Sequence, residues 1–488
     1  MNNRCIKYSF GLSAAVTALL GGCAVGPDYH PPPVSVPAVY HQPLANTTNA
    51  PSASLSQWWQ LFHDQQLDTL ILEASTANHD VRLARARVVE ARAQAGVTRS
   101  ALFPSVDANG VYARQRLSKN TPESFLARAA GQPLEQNTFD SGFDMNWELD
   151  VFGGNRRALE AAKADVGTTE ESSRGVLITV LGDVGLNYLD LRGLQKELAV
   201  ARDNLRLQEQ TLDLTRDQSK AGLATDLDTA RAEAQSEETR SQVPLLEQSI
   251  ERDIHRLSIL IGKEPSELES QLAASGPIPS AVPEIPIGLP SDLLRRRPDI
   301  REAEREAAAA TARIGVATAD LFPKFYLTGA AGLQSLNASD FFSAGSRTWS
   351  IGPSIRWQIF TAGRVRQNIK VQDARQDQAL IRYQQTVLTS LEEVENALVA
   401  CGKEEERHDA LARSEAANRR AADLANERYR SGLEDFLNVL DAQRSLLAVQ
   451  DNLAQSERTM GQNLVRLYKA LGGGWDAGMQ MSEIKRDF

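Results

Sequence analysis

The pattern that stands out along the chain is a strict alternation. From Phe139 onward, Phe139, Phe143, Met145, Trp147, Leu149 and Val151 fall on one side of an extended segment, opposite Asp140, Asp144, Asn146, Glu148 and Asp150. Ser105 to Arg116 alternates more weakly, and a polar loop with Pro122, Gly131 and Pro133 separates the two segments. The plan returns at Lys324 to Gln334, with Phe325, Leu327, Ala331 and Leu333 on one side. It returns again at Thr348 to Phe360, where Trp349, Ile351, Ile355, Trp357 and Ile359 oppose Ser350, Ser354, Arg356 and Gln358. Four acids on one face of the second strand do not fit a protein core. They fit a wall with lipid outside and water inside.

Most of the remaining chain follows the three- and four-residue steps of helices. Asp64 to Ala101 places Leu67, Leu70, Ile71, Ala74, Val81, Ala84 and Val88 at such steps and stops at Leu102-Phe103-Pro104. Gly153-Gly154 ends the second strand, and the pattern predicts a helix over 155–220, roughly 100 Å long if unbroken. A second helix returns over 223–262. Asp292 to Asp320 is helical and stops at Leu321-Phe322-Pro323, and long helices follow over 364–430 and 435–471. Helices of this length need lateral partners, and coiled-coil packing supplies them.

The two halves match. The turn AGLATDLDTARAEAQ (Ala221 to Gln235) pairs with SGLEDFLNVLDAQRS (Ser431 to Ser445), their glycines 432 − 222 = 210 residues apart. The helix stops at Arg256 and Arg466 differ by the same 210, and the two Leu-Phe-Pro stops by 323 − 104 = 219. The chain is a tandem duplication. Residues 64–276 form the first repeat, 277–290 a proline-rich linker, 291–474 the second repeat and 475–488 a tail.

Aromatic residues are only 6 % of the chain, a composition of extended helices rather than of a compact α/β enzyme. A net charge of −10 argues against a nucleic-acid partner. Arg4 and Lys7 precede an apolar run from Phe10 to Leu20 that is too short for a permanent membrane helix and fits a signal peptide over 1–22. The run ends in Leu20-Gly21-Gly22-Cys23, which resembles the lipobox of bacterial lipoproteins. Cys23 is then the residue expected to carry a covalent lipid (N-palmitoyl and S-diacylglycerol), with no other cofactor. The alternative is an ordinary signal cut nearby that leaves Cys23 a plain thiol. Residues 23–63 read as an extended tether, docked at its end by Trp58, Trp59, Leu61 and Phe62. Cys5 leaves with the signal, so Cys401 stands alone as a packed thiol.

Four strands of about ten residues each cross a membrane when tilted. They cannot close a barrel of useful width alone, and an open sheet edge in lipid leaves backbone groups unpaired at several kcal/mol each. Several copies must therefore each contribute four strands to one shared barrel, and their helices to a wall below it.

Five motifs in order carry a resemblance over the whole mature chain. They are Cys23-Ala24-Val25-Gly26-Pro27-Asp28-Tyr29, LPSDLLRRRPDI (Leu289 to Ile300), WELDVFGG and WQIFTAGR in matching places, and the SGLEDFLNVLDAQRS turn. The chain resembles the TolC-like outer-membrane factors, in their lipidated OprM/NodT branch. That resemblance implies a mixed α and β membrane protein: a homotrimer with a twelve-stranded outer-membrane β-barrel, four strands per chain, continued by a long periplasmic α-helical barrel. It implies a passive exit duct for small molecules such as drugs or other toxic compounds. A periplasmic adaptor and an inner-membrane RND-type pump would load it, and outer-membrane lipids would surround it. Ala24 after the cysteine fits outer-membrane delivery in this family.

In relatives, inward side chains on the second-half turn shut the periplasmic end. Position by position this implies Leu437 as an apolar plug and Asp441 as an acidic ring, with Tyr429 and Asp226 tying the helix pairs together. Asn438 and Glu434 stand where some relatives have Asp and Arg, so closure is expected to rest on Leu437 and hydrogen bonds more than on an ionic lock. By spacing alone, Leu437 also fits an ordinary coiled-coil core, and Asp441 a solvated helix start. Three like carboxylates around one axis repel, which favours raised pKa values or bound cations and a cation-preferring duct. Two rival functions fit less well. An enzyme is disfavoured by six histidines without an HExxH spacing and by the lack of a G-x-S-x-G or phosphate loop. A pore-free coiled-coil lipoprotein acting as a tether has no use for strands that are acidic on one face and aromatic on the other.

Overall fold

The computed structural model describes residues 24–41, 47–48, 55–131, 133–279, 285–286 and 289–475. The expected signal, Cys23, most of the linker and the tail beyond 475 lie outside the described residues. Helices α1 (Gln65–Ala77) and α2 (His79–Ser100) lead into strand β1 (Ser105–Arg116), helix α3 (Pro122–Ala129) and strand β2 (Glu135–Leu149). The long helix α4 (Gly154–Lys220) and its return α5 (Asp226–Leu260) follow. The second half runs α6 (Pro290–Arg296), α7 (Pro298–Ala319), β3 (Lys324–Ser335), β4 (Arg347–Arg356), α8 (Arg364–Arg430) and α9 (Phe436–Ala470).

The duplication is visible in the element lengths. Helices α4 and α8 have 67 residues each and begin 364 − 154 = 210 apart; α5 and α9 have 35 each and begin 436 − 226 = 210 apart. Helices α2 and α7 have 22 residues each, 298 − 79 = 219 apart. The offset therefore falls by nine within the hairpin, where the first repeat carries the extra helix α3.

Both long-helix turns close through the same backbone device. Gly222 (φ 74°) and Gly432 (φ 68°) adopt the left-handed conformation that a Cβ would resist. The following amides then reach back, Leu223 to the Gln218 carbonyl at 2.8 Å and Leu433 to the Arg428 carbonyl at 2.9 Å. These are Schellman closures, which satisfy carbonyls left open at the helix ends. Helix α5 restarts with a capping box between Thr225 and Asp228, and Asp435 takes the cap position of α9.

Several boundaries differ from expectation, each for a local reason. The first helix is broken at Asn78, whose Oδ1 accepts from the amides of Asp80 (2.8 Å) and Val81 (3.1 Å) while its Nδ2 donates to the Leu260 carbonyl (2.8 Å). The helix expected over Asp292 to Asp320 is broken at Arg297, because Pro298 disfavours a helical residue before it. The expected loop around Pro122 holds α3, with Pro122 in its first turn. Strand β2 begins at Glu135 and stops before Val151. Strand β4 stops at Arg356 although the alternation continues to Ile359, since the ladder has already reached Lys324, the first residue of β3, opposite Arg356. The extended tether is also bound to the folded body before its docking residues, over residues 24–29.

The described residues separate into two compact units, and each draws on both repeats. One takes the residues up to Pro32 with Val89–Thr168 and Glu304–Arg382, and it holds the sheet. The other takes Pro33–Val88, Thr169–Ala303 and the chain from Tyr383 onward, and it holds the largest core. There Trp58 stacks on Tyr468 (centroids 5.8 Å) and meets Trp59 and Phe62 edge-on. Leu67, Ile71, Tyr188, Leu189 and Leu257 belong to the same core, all fully buried. Gly185 permits this packing, because a Cβ there would come within 2.7 Å of the Trp58 ring. Cys401 packs against the same core, and burial pushes its thiol up to about 11, well away from the thiolate a nucleophile needs.

Candidate functional site

The sheet is a four-stranded antiparallel meander in the order β1-β2-β3-β4. One row across it reads Val106, Met145, Gly329, Ile351, and the next reads Asp107, Asp144, Ala330, Ser350. The two faces therefore differ in kind. Phe143, Trp349, Ile351 and Ile355 stand exposed on one, and Asp107, Asp140, Asp144 and Glu148 line the other. Asn109 Nδ2 donates to Asp144, so the acidic face carries hydrogen bonds of its own. Two tryptophans related by the duplication (357 − 147 = 210) mark one rim. Trp147 Nε1 donates to the Leu102 carbonyl and Trp357 Nε1 to the Leu321 carbonyl, each at 3.1 Å. Each closes the carbonyl where the preceding helix stops, an arrangement suited to an interfacial aromatic belt. Among the described residues no helix is long and apolar enough to cross a membrane. Strands β1 and β4 form the two edges.

The second-half turn presents a separate surface. Phe436, Val439 and Leu440 are buried with Tyr429, Leu212 and Ala232, so they occupy the inward face of α9. Leu437 lies off that face and is 53 % exposed in the protomer. Within the protomer, the core positions of this turn are taken by Phe436, Val439 and Leu440. Asn438 and Asp441 are exposed beside it, and Leu437 and Asp441 stand one helical turn apart. Glu434 accepts from Arg428 Nε at 2.9 Å and from Asn438 Nδ2. These bonds, with Asn438 the larger effect, hold its carboxyl below the usual range. The polar residues at 434 and 438 therefore satisfy one another inside the turn.

The tying residues behave differently from one another. Tyr429 Oη lies 3.3 Å from Thr215 Oγ1 and so joins α8 to α4, across the two repeats. Asp226 is exposed and accepts from Ser219 at 3.4 Å, within the first-repeat turn. In the protomer the partner of Tyr429 is Thr215 rather than Asp226. Two further rungs join the repeats above it: Gln443 Nε2 to Thr211 Oγ1 at 3.0 Å, and Asn204 Nδ2 to Gln450 Oε1 at 2.9 Å. No local pattern foretells these neutral bonds, because their partners lie more than two hundred residues apart.

A second feature escapes sequence reasoning. Arg458 of α9 reaches Asp190 at 3.1 Å and Glu197 at 3.4 Å, both on α4. Asp253 of α5 is buried beside them with Arg252 at 3.7 Å. Burial first, and then the Asp190 charge, pushes the Asp253 carboxyl up to about 6. Burial also raises Glu197 and Asp451.

Comparison with known proteins decides what such a chain is. The family model described as "Outer membrane efflux protein" matches residues 70–263 and 289–473. The chain belongs to this family. It is 34 % identical over 473 residues to the toluene efflux pump outer membrane protein TtgF of Pseudomonas putida, covering 95 % of this chain and 97 % of that one. It is 29 % identical over 460 residues to nodulation protein T of Rhizobium leguminosarum, covering 94 % and 96 %. Among solved structures, the outer-membrane channel OprN superposes with a TM-score of 0.84 at 36 % identity, over 93 % of this chain and all of that one. The chain is thus an outer-membrane efflux protein of the OprM/NodT type, whose family works in transport rather than catalysis. Its fold is that of trimeric outer-membrane channels, with a four-stranded sheet per chain and a helical barrel extending into the periplasm.

Proposed function

We propose that three copies of this chain form the passive exit duct of a tripartite efflux system, loaded by a periplasmic adaptor and an inner-membrane RND-type pump. The observation that carries this reading is the sheet: two unpaired edges, an aromatic and aliphatic face, and an acidic face. In lipid such edges persist only when another copy pairs with them. Relatives named for toluene efflux and for antibiotic efflux support small toxic compounds as the cargo. Cys23 is the proposed lipid-bearing residue, and the placement of Ala24 against Gly153, just past the end of β2, supports it. Light scattering on the purified protein in detergent, corrected for bound detergent, is expected to return three mature chains per particle. A stable, monodisperse monomer would sink the duct.

Leu437 is proposed as the apolar plug and Asp441 as the acidic ring of the periplasmic constriction, supported by their shared exposed face on α9. Asp441→Asn is expected to lower the cation-to-anion permeability ratio about fivefold, the equivalent of about 1 kcal/mol of lost attraction at the narrow point. Reversal potentials of single channels under a salt gradient check this. An unchanged ratio would place Asp441 away from the ion path.

A further inference from the structure

The first part of the segment that reads as an extended tether is built into the unit that holds the sheet. Val25 N–H donates to the Phe152 carbonyl at 3.1 Å. Gly26 (φ 93°) lies so close to Gly315 of α7 that a Cβ on it would collide with the Gly315 backbone. Arg157 closes over the segment from the first turn of α4 and is itself only 5 % exposed. Its guanidinium donates to the carbonyls of Val25 (3.2 Å) and Gly26 (3.3 Å), to Asp28 Oδ1 (2.7 Å) and to Glu160 Oε2 (2.8 Å). A buried guanidinium is strongly unfavourable unless its donors are engaged, and here four acceptors engage them. Its aliphatic stem rests on Gly315, where a Cβ would come within 2.8 Å of Arg157 Cγ.

The contacts join the two repeats. Helix α4 follows β2 of the first repeat, α7 precedes β3 of the second, and β2 and β3 are neighbours in the sheet. Phe152 stacks on Phe322 at 4.5 Å at the same junction. The duplication supplies an internal comparison. The residue equivalent to Arg157 is Gln367 (367 − 157 = 210). The residue equivalent to Gly315 is Gly96 (315 − 96 = 219), so the glycine belongs to the repeated framework whereas the arginine does not. The clasp is thus an addition to one junction, not a by-product of the repeated framework.

We propose that residues 24–29 form a clasp, locked by Arg157, that pins the first turn of α4, just past β2, to α7, the helix that leads into β3, and fixes where the N-terminal end of the chain leaves the foot of the sheet. Arg157 is its positioning residue. Whatever precedes Ala24 is then held at one place instead of swinging on a tether, whether or not Cys23 carries lipid. The clasp does not depend on export, so its failure leaves the duct reading intact.

A nitroxide at His30→Cys, in a Cys401→Ser background with the signal of the unsubstituted chain subtracted, reports on the segment next to the clasp in the full chain in detergent. Its rotational correlation time is expected to be at least about fivefold longer in the parent than in Arg157→Ala. A second label at Leu207→Cys, on the far part of α4, is expected to be unchanged between the two. Arg157→Lys keeps the charge but cannot fork to several acceptors, so it gives an intermediate value. A label already mobile in the parent, or one indifferent to Arg157→Ala, overturns the clasp. If Arg157→Ala does not fold, Asp28→Asn makes the same comparison with a smaller loss, and no loss there also overturns it.

Discussion

Ile351→Arg is expected to keep the chain out of the outer membrane, while Ser350→Arg, one residue away, inserts normally. Ile351 lies in the middle of β4, 65 % exposed, in the row that runs through Gly329, Met145 and Val106. Ser350 lies in the next row, which contains Asp144 and Asp107. If the first face meets lipid, an arginine near mid-membrane costs about 2–4 kcal/mol per chain. Three chains in one barrel bring the total to about 6–12 kcal/mol, which rivals the whole net stability of a folded domain. On the acidic face the same side chain gains water and nearby carboxylates. The measurement is the fraction of each variant recovered as folded, heat-modifiable protein in the outer-membrane fraction, alongside cellular sensitivity to an exported toxicant. Equal insertion of the two variants would mean that the faces are misassigned, and the barrel with them.

How much of the fold is legible in the sequence follows from what kind of signal each feature leaves. The strands announce themselves because lipid and water impose a two-residue period, and the alternation over Ser105 to Arg116 matches β1 to the residue. The turns are legible because Gly222 and Gly432 must take a positive φ, a demand that few residues meet. Helix α3 leaves no such trace: its Phe125 and Leu126 are both exposed, so no buried stripe sets a period. Leu437 is ambiguous for the opposite reason. Three adjacent apolar residues, Phe436, Val439 and Leu440, fit the core face equally well, and only packing against Tyr429 and Leu212 decides among them. The Arg157 clasp and the Arg458 cluster depend on contacts between distant parts of the chain, which no local pattern encodes. The tether expectation fails over residues 24–29 because proline-rich sequence predicts extension, and extended backbone can be docked as readily as free.

The buried cluster leads to the second large effect: Asp253→Asn is expected to stabilise the protein at neutral pH and to flatten its acid-side stability profile. Asp253 is 5 % exposed, and its Oδ2 has no hydrogen-bond partner. The charges that act on it are Asp190 of α4, Arg252 of its own helix and Arg458 of α9, and Arg458 is shared with Glu197 of α4, which also faces Asp451 of α9. Two arginines thus face four carboxylates, and burial disfavours every unmatched charge. With a carboxyl raised from 3.8 to about 6, the folded chain holds this proton more tightly than the unfolded chain does. Its contribution is therefore fully present below pH 4 and is lost as the pH rises through 6. The loss amounts to at most about 3 kcal/mol, since each tenfold change in proton affinity is worth about 1.4 kcal/mol. An asparagine removes the ionisation and should recover much of that amount at pH 7.5 as a higher melting temperature. At pH 4.5 the difference should shrink to about a third, because the unfolded carboxyl is already mostly ionised there, and Glu197 and Asp451 contribute to the slope that remains in the variant. Thermal melts of both proteins in the same detergent between pH 4 and 8 settle the matter. A variant less stable than the parent at pH 7.5 would show that the Asp253 charge is matched in the folded chain. The cluster would then be a stabilising network, not a proton-linked weakness where three long helices meet.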